Sequence, residues 1–185
     1  RMGLMDDEKG LGILYTGEGK GKTTAALGLV LRAVGYKKKC LIVQFGKAWF
    51  TGELVGAKLL FPYVKIIQGG KGFLNMKNFA LKSHPSKKIH KQAAKEAFDL
   101  LYKEVMSDKW DIVVADEIVG AISSKVLSLT KTLQLINDKP NRLDLVLTGH
   151  FAPKELINSA DLVTEMEEIK HPFKKGLLAK KGIDF

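Results

Sequence analysis

The stretch Gly12-Ile13-Leu14-Tyr15-Thr16-Gly17-Glu18-Gly19-Lys20-Gly21-Lys22-Thr23-Thr24 decides the fold of this chain. Gly12–Tyr15 reads as a strand. From Thr24 to Val34, apolar residues recur at helical spacing (Ala25, Leu29, Val30, Ala33), with Gly35 as the C-cap. Between strand and helix runs a loop of alternating glycines that ends in Gly-Lys-Thr. Such a loop lets successive backbone N–H groups converge on one anion; Lys22 adds a mobile positive charge, and the Thr23 hydroxyl is placed to ligate Mg²⁺. The helix aims its positive dipole end at the same point. The loop is therefore built to hold a triphosphate, with Gly17, Glu18, Gly19, Lys20, Gly21, Lys22, Thr23 and Thr24 around it. One position departs from the G-x-x-x-x-G-K-[ST] pattern: its first glycine should fall at position 16, where Thr16 stands.

Outward from the loop, strand-like runs recur at Cys40–Phe45, Val64–Gln68, Asp111–Ala115, Leu143–Leu147 and Leu162–Met166. Cys40-Leu41-Ile42-Val43 and Ile112-Val113-Val114-Ala115 are continuously apolar, as parallel strands covered on both faces should be. Helical signals separate them. The longest spans Ser86 to Met106 with Ile89, Ala93, Ala94, Ala97, Leu101 and Val105 on one stripe; another covers Leu129 to Asn137, and a short one follows Pro153. Alternating strands and helices with a phosphate loop after the first strand predict an α/β fold, a mostly parallel sheet with helices on both faces. Residues 1–185 read as one domain, with a short N-terminal arm (1–11) and an irregular, glycine-rich insert on the substrate side (46–86).

Ile112-Val113-Val114-Ala115-Asp116-Glu117 supplies the second half of a nucleotide site. A parallel strand brings its C-terminal end to the loop's edge of the sheet, so an acid there lies beside Mg²⁺. Alternation would send Asp116 and Glu117 to opposite sides unless the strand ends there, and either acid is a candidate ligand beside Thr23. The intervening strands before this acidic run suit the RecA-like branch of phosphate-loop folds. Gln44, at the end of the second strand, Lys47, just beyond it, and His150, after Leu147-Thr148-Gly149, also fall on the ligand edge. With one cysteine and no histidine pair at i, i+4, no zinc constellation exists in the sequence.

Composition narrows the class. A hydrophobic fraction of 45% and a charged fraction of 27% describe a globular chain, and no apolar run reaches the ~20 residues of a membrane helix. The acidic start (Asp6, Asp7, Glu8) lacks an apolar signal region, and the lone Cys40 opens a buried strand without a disulfide partner; a cytoplasmic setting is expected. The net charge of +10 comes from lysine clusters such as Lys37-Lys38-Lys39 and Lys180-Lys181. These read as solvated faces, because no aromatic-and-basic recognition platform accompanies them; nucleic acid is not an expected partner.

The loop from Thr16 to Ala26 joins Val43-Gln44-Phe45, Val114-Ala115-Asp116-Glu117 and Leu147-Thr148-Gly149 in a wider resemblance. The most distinctive segments are C-terminal: Ala160-Asp161-Leu162-Val163-Thr164-Glu165-Met166, Lys170-His171-Pro172-Phe173 and Lys181-Gly182-Ile183-Asp184-Phe185. Together they resemble the ATP:corrinoid adenosyltransferases, the family that completes the cobalamin coenzyme, from about Gly12 to the end. Threonine at position 16 is itself a family trait. The resemblance implies that C5′ of MgATP is attacked by the Co(I) of a reduced corrinoid and that tripolyphosphate leaves. It assigns Lys22, Thr23 and Glu117 to catalysis, Thr23 and Glu117 to Mg²⁺, and Lys20 and Lys22 to the phosphates. It further implies a flavoprotein reductant, a homodimer, and Phe73 against the lower face of the corrin. Departures are Asn75 where the family carries a second aromatic, which leaves Trp49 or Phe50 as substitutes, and His150 where it often carries arginine. The family's longer N-terminal arm is mostly missing. The rivals are a phosphate-loop ATPase or kinase with Glu117 or Asp116 as base, a nucleotide-dependent nucleic-acid-binding protein, and a corrinoid carrier without catalysis.

Overall fold

The computed structural model describes residues 9–47, 49–69 and 87–185. Six strands form one sheet: β1 (Gly12–Thr16), β2 (Cys40–Phe45), β3 (Val64–Gly69), β4 (Ile112–Asp116), β5 (Asp144–Thr148) and β6 (Leu162–Glu165). Their spatial order is β3-β2-β4-β5-β1-β6, and every pairing is parallel. The acidic strand β4 is thus separated from the loop strand β1 by β5, the arrangement expected of the RecA-like branch. Because all strands run the same way, their C-terminal ends meet on one edge, where Thr16, Phe45, Asp116 and Thr148 lie.

Side chains alternate across the sheet as the strand period of two requires. Leu14, Leu41, Val43, Phe45, Val113, Ala115, Leu145 and Leu147 face one layer, covered by α3 (Lys87–Val105), α4 (Ile118–Ser123), α5 (Leu129–Asp138) and α6 (Lys154–Ser159). Ile13, Cys40, Ile42, Ile112, Val114 and Val146 face the other, covered by α1 (Lys22–Val34) through Ala26, Val30 and Ala33. The continuous apolar runs therefore serve two cores at once, as expected. Each fully buried leucine or phenylalanine contributes about 1.5–3 kcal/mol of transfer free energy.

One local reading needs correction, and two others gain detail. On α3 the buried stripe is His90, Ala93, Ala94, Ala97, Phe98, Leu101 and Val105; Ile89 is exposed, and the stripe reaches its first turn through His90, which lies three residues before Ala93 and four before Ala94. Gly35 does close α1, but in a right-handed conformation (φ −58°), and the left-handed residue after it is Lys37 (φ 61°). The insert carries more order than its composition suggests: α2 (Glu53–Gly56) and a 3₁₀ turn at Ala57–Leu60 precede β3. Cys40 lies where expected, wholly buried at the start of β2, and burial with nearby Asp111 pushes its thiol up to about 12.

Candidate active site

The phosphate loop, residues 17–21, joins β1 to α1 and opens the helix at Gly21. Gly17 has φ +100°, and a Cβ there would collide with the Met166 backbone, so both its conformation and its neighbour require glycine. That neighbour is the chain just after β6: Gly19 N–H donates to Met166 C=O at 2.7 Å, and Met166 N–H donates to Thr16 C=O at 2.9 Å. The tightness of the loop therefore reflects packing against its own chain as well as phosphate geometry. Thr16 sits in β1, where no positive φ is needed, and its Oγ1 accepts from Ala152 N–H at 3.1 Å. A threonine here ties the root of the loop to the segment after β5, which a glycine could not do.

Lys22 is buried, and its ammonium curls back on the loop, donating to Gly17 C=O at 2.8 Å and Gly19 C=O at 2.6 Å. Burial lowers its pKa, partly opposed by Glu117. Lys20 reaches outward to an ion pair with Asp184, so the C-terminal stretch returns to the loop. Glu18 and Thr24 are exposed.

Asp116 is the centre of the site. It is wholly buried, and its side-chain hydrogen bonds come from four residues spread over three segments of the sequence. Its Oδ1 accepts from Thr23 Oγ1 and Thr148 Oγ1, each at 2.8 Å. Its Oδ2 accepts from Lys47 Nζ at 2.9 Å and from Gln44 Nε2 at 3.4 Å. Four donors compensate the desolvation of the charge. Gln44 is itself fully buried, with Nε2 also donating to Glu53 Oε1 at 2.9 Å and Oε1 accepting from Gln68 at 3.2 Å. Its amide is thus spent within the protein, on the acids that line the site. Lys47 lies 3.6 Å from Glu53 Oε1 as well as against Asp116. Burial works against the charge of Glu53, but the hydrogen bonds it accepts and Lys47 outweigh it and hold this carboxyl below the ordinary range.

Glu117 resolves the question of alternation. The strand ends at Asp116, and Glu117 takes a left-handed backbone (φ 64°) with its N–H donating to Thr148 Oγ1 at 2.8 Å. Both acids consequently stay on the loop's edge. The Glu117 carboxylate lies beside Gly149, which has φ +140° and could carry no Cβ without striking Val119 and Gly120. Its Oε2 is buried without a hydrogen-bond partner. Burial first, then Asp116, raises the Glu117 pKa against the pull of Lys22 and Lys47. His150, exposed beyond Gly149, is held below the ordinary histidine range by desolvation and then by Lys22.

The structure thus brings together Lys22, Thr23, Gln44, Lys47, Asp116 and Glu117, with His150 at the rim; Phe73 lies outside the described residues. Glu53 and Thr148 were missed. Glu53 has no motif, and Thr148 was visible only as part of Leu-Thr-Gly at a strand end. Asp184 stood in a recognised segment without a role. Among the described residues no cluster of three or more histidine, cysteine or carboxylate side chains gathers for a metal. Nor is any described helix long and apolar enough to cross a membrane.

The sequence model of the family described as ATP:corrinoid adenosyltransferase BtuR/CobO/CobP matches residues 8–185. A corrinoid adenosyltransferase of Escherichia coli is 32% identical over 186 residues, covering 100% of this chain and 90% of its own length. One from a Sinorhizobium species is 34% identical over 192 residues, covering 100% and 84%. The corrinoid adenosyltransferase CobA of Salmonella typhimurium is 31% identical over 186 residues, covering 100% and 90%.

Proposed function

The chain belongs to the ATP:corrinoid adenosyltransferase family, and on that premise we propose that it transfers the 5′-deoxyadenosyl group of MgATP to the Co(I) of a reduced corrinoid, releasing tripolyphosphate. The observation that supports it most is the group around Asp116. Thr23, Thr148, Gln44 and Lys47 occupy that carboxylate, while the neighbouring Glu117 keeps a buried oxygen with no partner.

That orphaned oxygen fits a Mg²⁺. Magnesium takes one or two carboxylates, with water and substrate phosphates completing its octahedron, so a site with one spare carboxylate oxygen suits it and an all-protein cage is not required. Glu117 and the lone pairs of the Thr23 hydroxyl would hold it, and Asp116 would orient Thr23. Bound there, the ion would neutralise phosphate oxygens and steady the leaving group.

The chain's own residues do the rest. ATP phosphates lie on the N–H groups of residues 17–22 other than Gly19, whose N–H is taken by the Met166 carbonyl, and Lys22 exchanges the carbonyls of Gly17 and Gly19 for phosphate oxygens. Lys20 leaves Asp184 to do the same. The cobalt donates an electron pair to C5′, a cobalt–carbon bond forms, and the C5′–O bond breaks with its pair passing to tripolyphosphate. Co(I) needs no general base, so the protein's contribution is alignment and stabilisation of the departing charge. Glu117 is then free of the proton-abstracting role it would have in hydrolysis. A cytoplasmic setting, a flavoprotein reductant for the corrinoid and a second copy of the chain belong to this reading.

The test is anaerobic mixing of the protein, MgATP and chemically reduced cobalamin, followed by visible absorption. The expected result is loss of the Co(I) band, a light-sensitive alkylcobalamin product, and abolition of both by Lys22→Ala. Persistence of Co(I) while ATP yields orthophosphate would overturn the reading.

A further inference from the structure

The loop from Gly46 to Gly52 carries Trp49 and Phe50, two large aromatics with exposed area, yet its root is held by a buried polar network. Glu53, at the start of α2, is the outer end of that network. Its carboxylate is largely buried; it accepts from Gln44 Nε2 at 2.9 Å and has the Lys47 ammonium 3.6 Å away. Those same two donors reach across to Asp116, at 3.4 Å and 2.9 Å. Gln68, on β3, closes the other side by donating to Gln44 Oε1 at 3.2 Å and to the Trp49 carbonyl at 3.1 Å. Asp116 in turn receives the Thr23 hydroxyl of the phosphate loop. One continuous chain of hydrogen bonds therefore runs from Thr23 to the backbone of Trp49.

We propose that Glu53 is a positioning residue for the transfer: it shares Gln44 and Lys47 with Asp116 and so couples the phosphate loop to the loop that bears Trp49 and Phe50. This rests on the adenosyltransferase reading, which places acceptor-side contacts on that loop. The physical basis is a division of labour between two carboxylates and one ammonium. Lys47 balances Asp116 and Glu53 together, so cationic or anionic charge arriving at Thr23 changes how firmly Asp116 holds Lys47. The slack is taken up at Glu53, which anchors the aromatic loop at α2. Without Glu53, Gln44 and Lys47 relax toward Asp116, and the loop loses its anchor at α2 and keeps only the Gln68 bond to the Trp49 carbonyl.

The chain has two tryptophans, so Trp110→Phe leaves Trp49 as the sole reporter. In that background, MgATP should shift Trp49 emission, and Glu53→Ala should reduce the shift several-fold. ATP affinity by calorimetry should fall less than about threefold, while KM for the reduced corrinoid rises about tenfold with little change in kcat. Glu53→Gln keeps an acceptor for Gln44 but no charge for Lys47, and should restore part of the shift and part of the KM. A retained Trp49 response with wild-type KM in Glu53→Ala overturns the proposal. So does an equal loss of ATP affinity, KM and kcat in both variants, which marks a merely structural role. If Glu53→Ala does not fold, Glu53→Gln decides: an unaltered Trp49 response and KM there also overturn it. The fluorescence arm needs only ATP, and failure of the transfer assay in the unsubstituted protein would refute the adenosyltransferase reading separately.

Discussion

Thr148 lends itself to a quantitative test, because one hydroxyl serves both acids of the site. It is almost fully buried; it donates to Asp116 Oδ1 at 2.8 Å and accepts from Glu117 N–H at 2.8 Å. Thr148→Val keeps the shape and removes both bonds. A hydrogen bond to a charged group is worth about 1.5–3 kcal/mol, and a partly buried N–H left unpaired adds about 1 kcal/mol more. The loss should be about 2–4 kcal/mol, which lowers Tm by roughly 5–15 °C in a chain of this size. The left-handed Glu117 also loses its anchor, so affinity for ATP should fall with stability. Thermal unfolding by circular dichroism and calorimetric titration of MgATP read the two effects. Thr148→Ser, which keeps the hydroxyl, should lie much closer to wild type in both. A valine variant melting within about 2 °C of wild type, or a serine variant as poor as the valine, would refute the reasoning.

Other perturbations follow from the same geometry. Gly17→Ala forces a side chain into a positive φ and onto the Met166 backbone, so it should cost at least about 1–3 kcal/mol and weaken ATP binding, read by melting and calorimetry. Glu117 has a folded-state pKa above its unfolded value, so the native state binds the extra proton and stability falls as pH rises through that window. Glu117→Gln should therefore raise Tm at neutral pH, with the gain vanishing below the usual glutamate range; no gain at neutral pH would contradict the shift. His150 should titrate below free histidine by NMR and move only part of the way back in Lys22→Met, since burial is the larger cause. Leu101→Ala, emptying a fully buried position on α3, should cost about 2–5 kcal/mol in denaturant unfolding.

How far the chain was legible depends on whether a pattern was local. The strands were read to within about a residue, because continuous apolar runs bounded by polar residues mark buried parallel strands without reference to anything distant. The ligand edge followed from strand direction alone, and so Lys22, Thr23, Gln44, Lys47, Asp116 and His150 were found at one end of the sheet. What stayed hidden depended on partners far apart in sequence. Glu53 looks like any acid in a glycine-rich insert until Gln44 and Lys47 reach it. The left-handed Glu117 has no signature, since glutamate rarely adopts that conformation, and the short helix α4 that it starts was not anticipated. Ile89 was placed on the buried stripe because it is apolar, whereas geometry chose His90, one residue on. The return of Asp184 to Lys20 is a tertiary fact that no spacing encodes.

Adenosyl transfer breaks the C5′–O bond of ATP and not a phosphate anhydride. Phosphorus NMR of the products after a single anaerobic turnover, with protein, MgATP and reduced corrinoid in equal amounts, reads which bond has broken. One tripolyphosphate is expected for each adenosylated corrinoid, with no matching release of orthophosphate. Orthophosphate and ADP as the stoichiometric products, with the corrinoid unalkylated, would contradict adenosyl transfer.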